Sequence, residues 1–126
     1  MTEQERKELK LKRDNSRLNP EIKTLRVGAV IMNAERTGDD DAAIGSSWKE
    51  YWQIFTQKDF PLVCPLCGQR LAKGDIDGCH IRIYHQDTKR WTLRKFIVPG
   101  HHGCNVSIKG DFQMQTGETV VEAIEK

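Results

Sequence analysis

The spacing of apolar residues predicts a helix followed by a strand at the start of the chain. Residues 2–18 are mostly charged helix formers with three leucines among them, which indicates a partly exposed helix or a frayed arm. Residues 24–32 are rich in β-branched and other apolar residues, which predicts a strand, although Gly28 weakens it.

The clearest amphipathic pattern follows a polar connection at residues 33–47, which ends in a serine cap. Trp48, Trp52 and Phe55 recur at helical spacing, with Tyr51 beside them. Large aromatic side chains at this spacing are more often core than a platform for nucleic-acid bases. We therefore expect a helix whose aromatic face is buried.

The second half of the chain alternates short extended segments with turns. Residues 75–84 predict a turn that enters a strand, and residues 91–98 predict a second extended segment. Pro99-Gly100 is expected to end that segment and to precede a short helix. The tail at residues 116–124 predicts an acidic helix. The expected fold class is α+β, with a small central core and flanking helices at both termini.

Charge is divided unevenly along the chain, although the net charge is only +2. Residues 68–110 carry eight Lys or Arg against three Asp or Glu, whereas residues 28–60 and 111–126 each have a net charge of −3. Positive charge concentrated on one segment is expected where that segment faces phosphate.

The N-terminal sequence is charged throughout and lacks the apolar region of a secretory signal, and no apolar run is long enough to span a membrane. We therefore expect a cytoplasmic protein whose four cysteines are reduced.

All four cysteines and all four histidines lie within residues 64–111. Cys64-x-x-Cys67 and His101-x-x-Cys104 are two pairs at the same spacing, separated by 33 residues. Together they supply the four ligands that a tetrahedral Zn²⁺ needs, and four protein ligands leave no open position, so this zinc is expected to be structural.

The assignment of the fourth ligand stays open, because Cys79 or His102 could replace His101. The paired spacing favours His101. With this zinc in place, we divide the chain into a basic, partly flexible arm and strand at residues 1–47 and a zinc-stabilised domain at residues 48–126, and a bound zinc would supply part of the stability of so small a protein.

The order of these motifs resembles the His-Me finger, or HNH, endonuclease superfamily in its zinc-stapled form. The cysteine knuckle precedes a strand signature, Gly78-Cys79-His80-Ile81, and the sequence IVPGHHGCN at residues 97–105 resembles the turn and helix start of that family. The resemblance covers no more than residues 60–112. It implies a ββα-metal core of the treble-clef type, hydrolysis of DNA phosphodiester bonds and a catalytic Mg²⁺ or Mn²⁺.

The resemblance also implies roles for three residues. His80 would be the general base that takes a proton from the attacking water. Asn105 would bind the catalytic cation through its side-chain oxygen, and Asp77 lies where a variant of the family has an aspartate. The chain departs from the pattern at Cys79, where many members have an acidic metal ligand, and at Phe96, where an asparagine often orients the base.

Five basic residues lie where, by the resemblance, the nucleic-acid backbone would run, and we expect them to contact phosphates. These residues are Arg82, Lys89, Arg90, Arg94 and Lys95. Trp91, which follows Arg90, could stack on a base, although burial is the commoner role for tryptophan.

Two functions follow from these observations. The first is a small metal-dependent DNA endonuclease, of a size that suits a phage or mobile element, and the retention of His80 and Asn105 favours it. The alternative is a catalytically inactive zinc-binding module that binds nucleic acid or inhibits a protein partner. The missing acidic ligand beside His80 favours that alternative.

Overall fold

One antiparallel sheet lies at the centre of the described residues, with two α-helices packed against it and a third packed against one of those helices. A computed structural model describes residues 1–34, 41–107 and 109–126. The elements in chain order are α1 (Glu3–Ser16), β1 (Ile22–Leu25), β2 (Val30–Asn33), α2 (Trp48–Thr56), a short 3₁₀ helix (Lys73–Asp75), β3 (Ile76–His85), β4 (Arg90–Trp91), β5 (Phe96–His101), α3 (His102–Ser107), β6 (Asp111–Gln113) and β7 (Glu118–Glu122). The strands lie in the order β1-β7-β5-β3-β2-β6, and β4 pairs with β3. The α+β class is confirmed.

The predicted N-terminal helix is present as α1. Thr2 caps it, since its hydroxyl oxygen accepts a hydrogen bond from the Glu5 N–H at 3.1 Å. Leu9 is buried against the neighbouring helix α2, and Lys12 pairs with Glu50 of α2 at 3.1 Å. Among the described residues, none of the helices has both the length and the apolar character that crossing a membrane requires.

The single strand predicted at residues 24–32 is wrong, because the segment forms two strands, β1 and β2. Gly28 lies in the turn between them with a φ of +86°, in the left-handed region that glycine adopts without strain. Its N–H donates to the carbonyl of Met114 at 2.8 Å. Gly28 therefore lies where the chain passes from β1, at one edge of the sheet, to β2, which lies next to the strand at the opposite edge.

Helix α2 is the predicted aromatic helix, and its core assignment is confirmed. Ser47 caps it by accepting a hydrogen bond from the Glu50 N–H at 3.2 Å. Tyr51 and Trp52 are fully buried, and the Trp52 indole N–H donates to the carbonyl of Thr119 at 2.9 Å. Residues 35–40 of the predicted polar connection before this helix lie outside the described residues.

The predicted C-terminal helix at residues 116–124 is wrong, because this segment forms β7 between β1 and β5. Val120 and Val121 are both fully buried, which an extended strand achieves by directing them to opposite sides of the sheet. Their β-branched side chains also favour extended backbone. Glu118, expected on an outer helical face, is instead buried and paired with Lys58 at 2.7 Å.

The extended segment predicted at residues 91–98 is divided between β4 and β5. The Thr92 hydroxyl holds the intervening turn, because it accepts from the Ile83 N–H at 3.0 Å and donates to the Arg94 carbonyl at 2.9 Å. The short side chain of threonine can bond its own local backbone in this way, which competes with continued strand pairing.

The predicted strand end at Pro99-Gly100 is also wrong, since β5 continues to His101 with Pro99 opposite Gly78 of β3. The pairing of β5 with β7 stops at Ile97. Among the described strands, Pro99 therefore lies where β5 is paired on one side, and a proline without an N–H is tolerated there.

Two apolar cores lie on opposite faces of the sheet. The first core contains Ile31, Cys79 and Ile81, and the second contains Ile97 and the buried aromatic residues of α2. Strands from both sides of residue 47 contribute to this sheet. One face of β3 therefore packs against the first core and the other face against the second, so polar residues on its two faces lie in different surroundings.

Candidate metal centre and adjacent polar cluster

The first two cysteines lie on a tight turn. The Gly68 N–H donates to the carbonyl of Cys64 at 2.8 Å, and the Cys64 N–H donates to the carbonyl of Gln69 at 2.8 Å. Gly68 has a φ of +79°, which a side chain would strain. The glycine that follows the cysteine pair thus allows the chain to turn back around both sulfurs.

The second pair comes from the end of β5 and the first turn of α3. Cys104 is the third residue of α3 and packs against the first core. The backbone N–H of His101 approaches the Cys64 sulfur at 3.4 Å. Continuation of β5 through Pro99 is what carries His101 to the cysteine turn, so the strand extension that the sequence did not predict builds this half of the site.

The ligand atoms of Cys64, Cys67, His101 and Cys104 lie within 4.8 Å of one another. His101 Nδ1 is 3.2 Å from the Cys67 sulfur and 4.0 Å from the Cys104 sulfur. Zinc–sulfur bonds of about 2.3 Å in a tetrahedron place sulfurs roughly 3.8 Å apart, so the cluster has the right dimensions for zinc. The described residues therefore contain a Cys₃His group that could hold a metal ion.

The tautomer of His101 suits this role. Its Nε2–H donates to the carbonyl of Arg70 at 2.9 Å, which leaves Nδ1 as the nitrogen that faces the sulfurs. Hydrogen bonding of the second ring nitrogen to a carbonyl is the usual way in which a metal-binding imidazole is oriented.

The surroundings of Cys104 favour its neutral thiol when no metal is bound. Burial, followed by the neighbouring Cys67 and Cys64, raises the pKa of Cys104 to about 12. A bound Zn²⁺ reverses this effect, since the thiolate is the form that coordinates metal. Metal binding to this cluster should therefore release protons and weaken as the pH falls.

Two alternative ligands are not in the metal-capable group. Cys79 lies on β3, and its thiol points toward the carbonyl of Asp77 at 3.8 Å; burial raises its pKa, which favours the neutral thiol. His102 turns away from the sulfurs to bond Asp77. The paired spacing thus selects the same four residues as the geometry.

A polar cluster lies immediately beside the metal centre. His102 Nδ1–H donates to Asp77 Oδ2 at 2.6 Å, and the Asn105 amide donates to the same oxygen at 3.2 Å. The His102 side chain is 64% exposed and that of Asp77 33%. The hydrogen bond and the charge of Asp77 raise the pKa of His102. We call these three residues the polar cluster.

His80 lies on the other face of β3. Side chains alternate along a strand, so Gly78 and His80 share one face whereas Asp77 and Cys79 share the other. The His80 ring makes an edge contact with Trp48 of α2, at 4.6 Å between ring centroids, and it is buried. The structure therefore brings Asp77 and Asn105 together and directs His80 toward α2.

Of the five basic residues, Arg82 lies on β3 and Arg90 on β4, Lys89 lies in the turn between these strands, and Arg94 and Lys95 lie between β4 and β5. Three of the five are engaged. Arg82 donates to the carbonyls of Thr92 and Leu93. Arg94 and Lys95 pair with the acidic residues Glu122 and Glu125 at 3.0 and 3.8 Å.

Sequence reasoning missed the contact between His102 and Asp77. The two residues are 25 positions apart, and their meeting depends on the register that pairs Asp77 with Gly100 at the end of β5. The one indication in the sequence was Asp77, a carboxylate that the pairing of the two predicted strands would place opposite the start of His101-His102. Asn33 was also missed, and its side-chain amide donates to the carbonyl of Cys104 at 3.1 Å.

The fold and the site define an α+β protein with a Cys₃His cluster suited to zinc. Comparisons with protein-family models, with curated protein sequences and with solved structures give no match to this chain.

Proposed function

We propose that the protein is a zinc-stabilised, metal-dependent endonuclease that hydrolyses DNA phosphodiester bonds at the polar cluster. The observation that carries the proposal is the convergence of Asp77 and Asn105 on an exposed imidazole beside the zinc ligands. The His-Me resemblance implies catalytic roles for both Asp77 and Asn105, and these two side chains are in hydrogen-bond contact.

The sequence of elements around the cluster supports a ββα-metal core of the treble-clef type in this proposal. The cysteine turn is followed by the paired strands β3 and β5, and α3 follows directly with the second ligand pair. In such a core the zinc holds the helix against the hairpin. The polar cluster lies at that junction, since Asp77 is on β3 while His102 and Asn105 are on α3.

Each cluster residue has a chemical role in the proposal. The carboxylate of Asp77 and the carboxamide oxygen of Asn105, once the amide rotates, are the hard oxygen ligands that Mg²⁺ or Mn²⁺ prefers. The cation would stabilise the charge that develops on the phosphate. Because Nδ1 of His102 donates to Asp77, its Nε2 is the nitrogen that can accept a proton from water.

The second candidate is the inactive zinc module, and the position of His80 favours it. The resemblance implies His80 as the base, yet its ring packs on Trp48 at the face of β3 opposite to Asp77. If no other residue replaces that base, the domain would bind nucleic acid without cutting it.

Plasmid nicking separates the two candidates. Purified protein is incubated with supercoiled plasmid and Mg²⁺ or Mn²⁺, alongside Asp77→Asn, His102→Ala and His80→Gln. We expect the wild type to nick the plasmid and His102→Ala to be about 100-fold slower, since general-base catalysis contributes roughly that much. His80→Gln should stay within about threefold, because its side chain faces α2 rather than the proposed cation site.

The zinc content of each variant is the control, because His102 is next to a zinc ligand. If supercoiled plasmid and circular single-stranded DNA both stay intact with Mg²⁺ and with Mn²⁺, the hydrolase is rejected and the inactive zinc-binding module is supported. If His80→Gln keeps its zinc but no longer cuts, and His102→Ala cuts normally, then His80 and not His102 is the general base.

A further inference from the structure

A β-hairpin extends beyond the body of the sheet and contributes no residue to the polar cluster. Pairing of β3 with β5 ends at Ile81, and its pairing with β2 ends at Ile83. Beyond that point β3 pairs with β4 through Tyr84 opposite Trp91 and His85 opposite Arg90. We call residues 84–91 the hairpin arm.

Two aromatic rings lie on one face of the arm. Tyr84 and Trp91 are directly opposite each other, with ring centroids 5.2 Å apart and planes at 61°. Both are only partly buried, and neither belongs to either of the two apolar cores. Their contribution to the core is therefore small for their size, although large aromatic side chains usually dominate core packing.

Two cations lie at the tip of the same arm. Lys89 and Arg90 are exposed, and among the described residues neither has an ion-pair partner, unlike Arg94 and Lys95. Lys89 has a φ of +56°, at the turn where its N–H donates to the carbonyl of His85 at 2.8 Å. Lys89 thus lies at the turn, and Arg90, which is paired with His85, leaves β4 on the face opposite to Trp91, so the two cations flank the arm that carries the aromatic pair.

We propose that the hairpin arm binds a single-stranded segment of nucleic acid, with a base stacked on Trp91 beside Tyr84 and phosphates held by Lys89 and Arg90. The inference rests on the proposed function, because it names the strand form that the polar cluster would act on. Aromatic rings next to uncommitted cations are the combination by which proteins bind single strands without reading sequence.

The single strand is favoured over the duplex for a physical reason. In a duplex both faces of each base are already stacked, so exposed aromatic rings gain contact only by opening the helix. An unpaired base offers its face directly. Lysine and arginine also bind base edges in a duplex groove, so it is the two aromatic rings, which find no open base face in a duplex, that favour the single strand.

Binding is measured by fluorescence anisotropy with the zinc-loaded protein and without added Mg²⁺, Mn²⁺ or chelator, so that cleavage plays no part and the structural zinc stays in place. The probes are labelled oligothymidylate and the same strand paired with oligodeoxyadenylate. We expect the single strand to bind about tenfold more tightly than the duplex, and Trp91→Ala to weaken its binding about tenfold. Trp91→Phe should stay within about threefold of the wild type, because it keeps a ring.

The salt dependence tests the cations. The double variant Lys89→Ala/Arg90→Ala should lower the slope of log affinity against log salt by about 1.4, which is about 0.7 for each phosphate contact on a single strand. The matched control Lys10→Ala/Arg26→Ala removes the same charges from exposed positions outside the arm. It should leave the slope unchanged.

The arm proposal is overturned if Trp91→Ala binds like the wild type, if the duplex binds as tightly as the single strand, or if neither probe binds. Its failure can be told apart from failure of the hydrolase. Plasmid nicking with unchanged binding in Trp91→Ala rejects the arm alone. Binding that depends on Trp91, with no cutting of either the plasmid or single-stranded DNA in Mg²⁺ or Mn²⁺, supports the arm and rejects the hydrolase.

Discussion

Replacing Cys64 with serine is expected to abolish zinc binding and to unfold the domain. Cys64 is fully buried, and it anchors both the cysteine turn and the backbone of His101. Structural zinc binds with an apparent free energy of about 10–16 kcal/mol at neutral pH. The total stability of a domain is about 5–15 kcal/mol. The free energy lost with the ion is therefore as large as the whole folding free energy.

The measurement is metal content per protein chain, followed by thermal unfolding monitored by circular dichroism. Cys79→Ala is the matched control, because Cys79 is also a buried cysteine but lies outside the metal-capable group. It should keep one zinc and lose only the stability expected for a small core truncation, about 1–2 kcal/mol. Full zinc content in Cys64→Ser, or loss of zinc in Cys79→Ala, would show that the ligand set is different.

The metal cluster could be predicted from the sequence because its information is local. Each pair is fixed by a spacing of three residues. The first pair also lies on a turn that Gly68 makes recognisable, whereas the second joins the end of β5 to α3. A structural tetrahedral site needs four ligands. The sequence therefore favoured these four residues, with Cys79 or His102 as alternatives to His101, before the strand that brings the two pairs together was known.

The amphipathic helix α2 was predictable for a similar reason, since its cap and its aromatic spacing are contained within ten residues, Ser47 to Thr56. The C-terminal strand was not, because its state depends on neighbours. The tail has helix-favouring and strand-favouring residues in nearly equal measure, and pairing with β1 on one side and β5 on the other decides between them.

The arrangement of the polar residues depends on sheet register, which no local pattern specifies. Shifting a strand by one position exchanges its faces. Asp77 and His80 are three residues apart on one strand, so they cannot face the same side of an extended β3. The sequence gives their spacing, but only the location of α2 on one face and α3 on the other shows which partner each residue meets.

Gly78 is the residue that fixes how closely α2 approaches β3, and Gly78→Ala is expected to destabilise the fold by about 3 kcal/mol or more. A Cβ at this position would lie 2.5 Å from the Trp48 carbonyl carbon and 2.6 Å from the Lys49 nitrogen. Both are backbone atoms of the helix, so rotation of a side chain cannot relieve the overlap. The helix or the strand must shift.

The free energy of unfolding in urea measures this effect, and Gly74→Ala is the matched control. Gly74 has a negative-φ backbone with open space around its Cβ position, so its substitution should change stability by less than about 0.5 kcal/mol. The zinc content of Gly78→Ala should stay at one ion, because the metal cluster lies at the other face of β3. An unchanged stability in Gly78→Ala would mean that α2 does not rest on β3 at this distance, and the assignment of His80 to the α2 face would lose its main support.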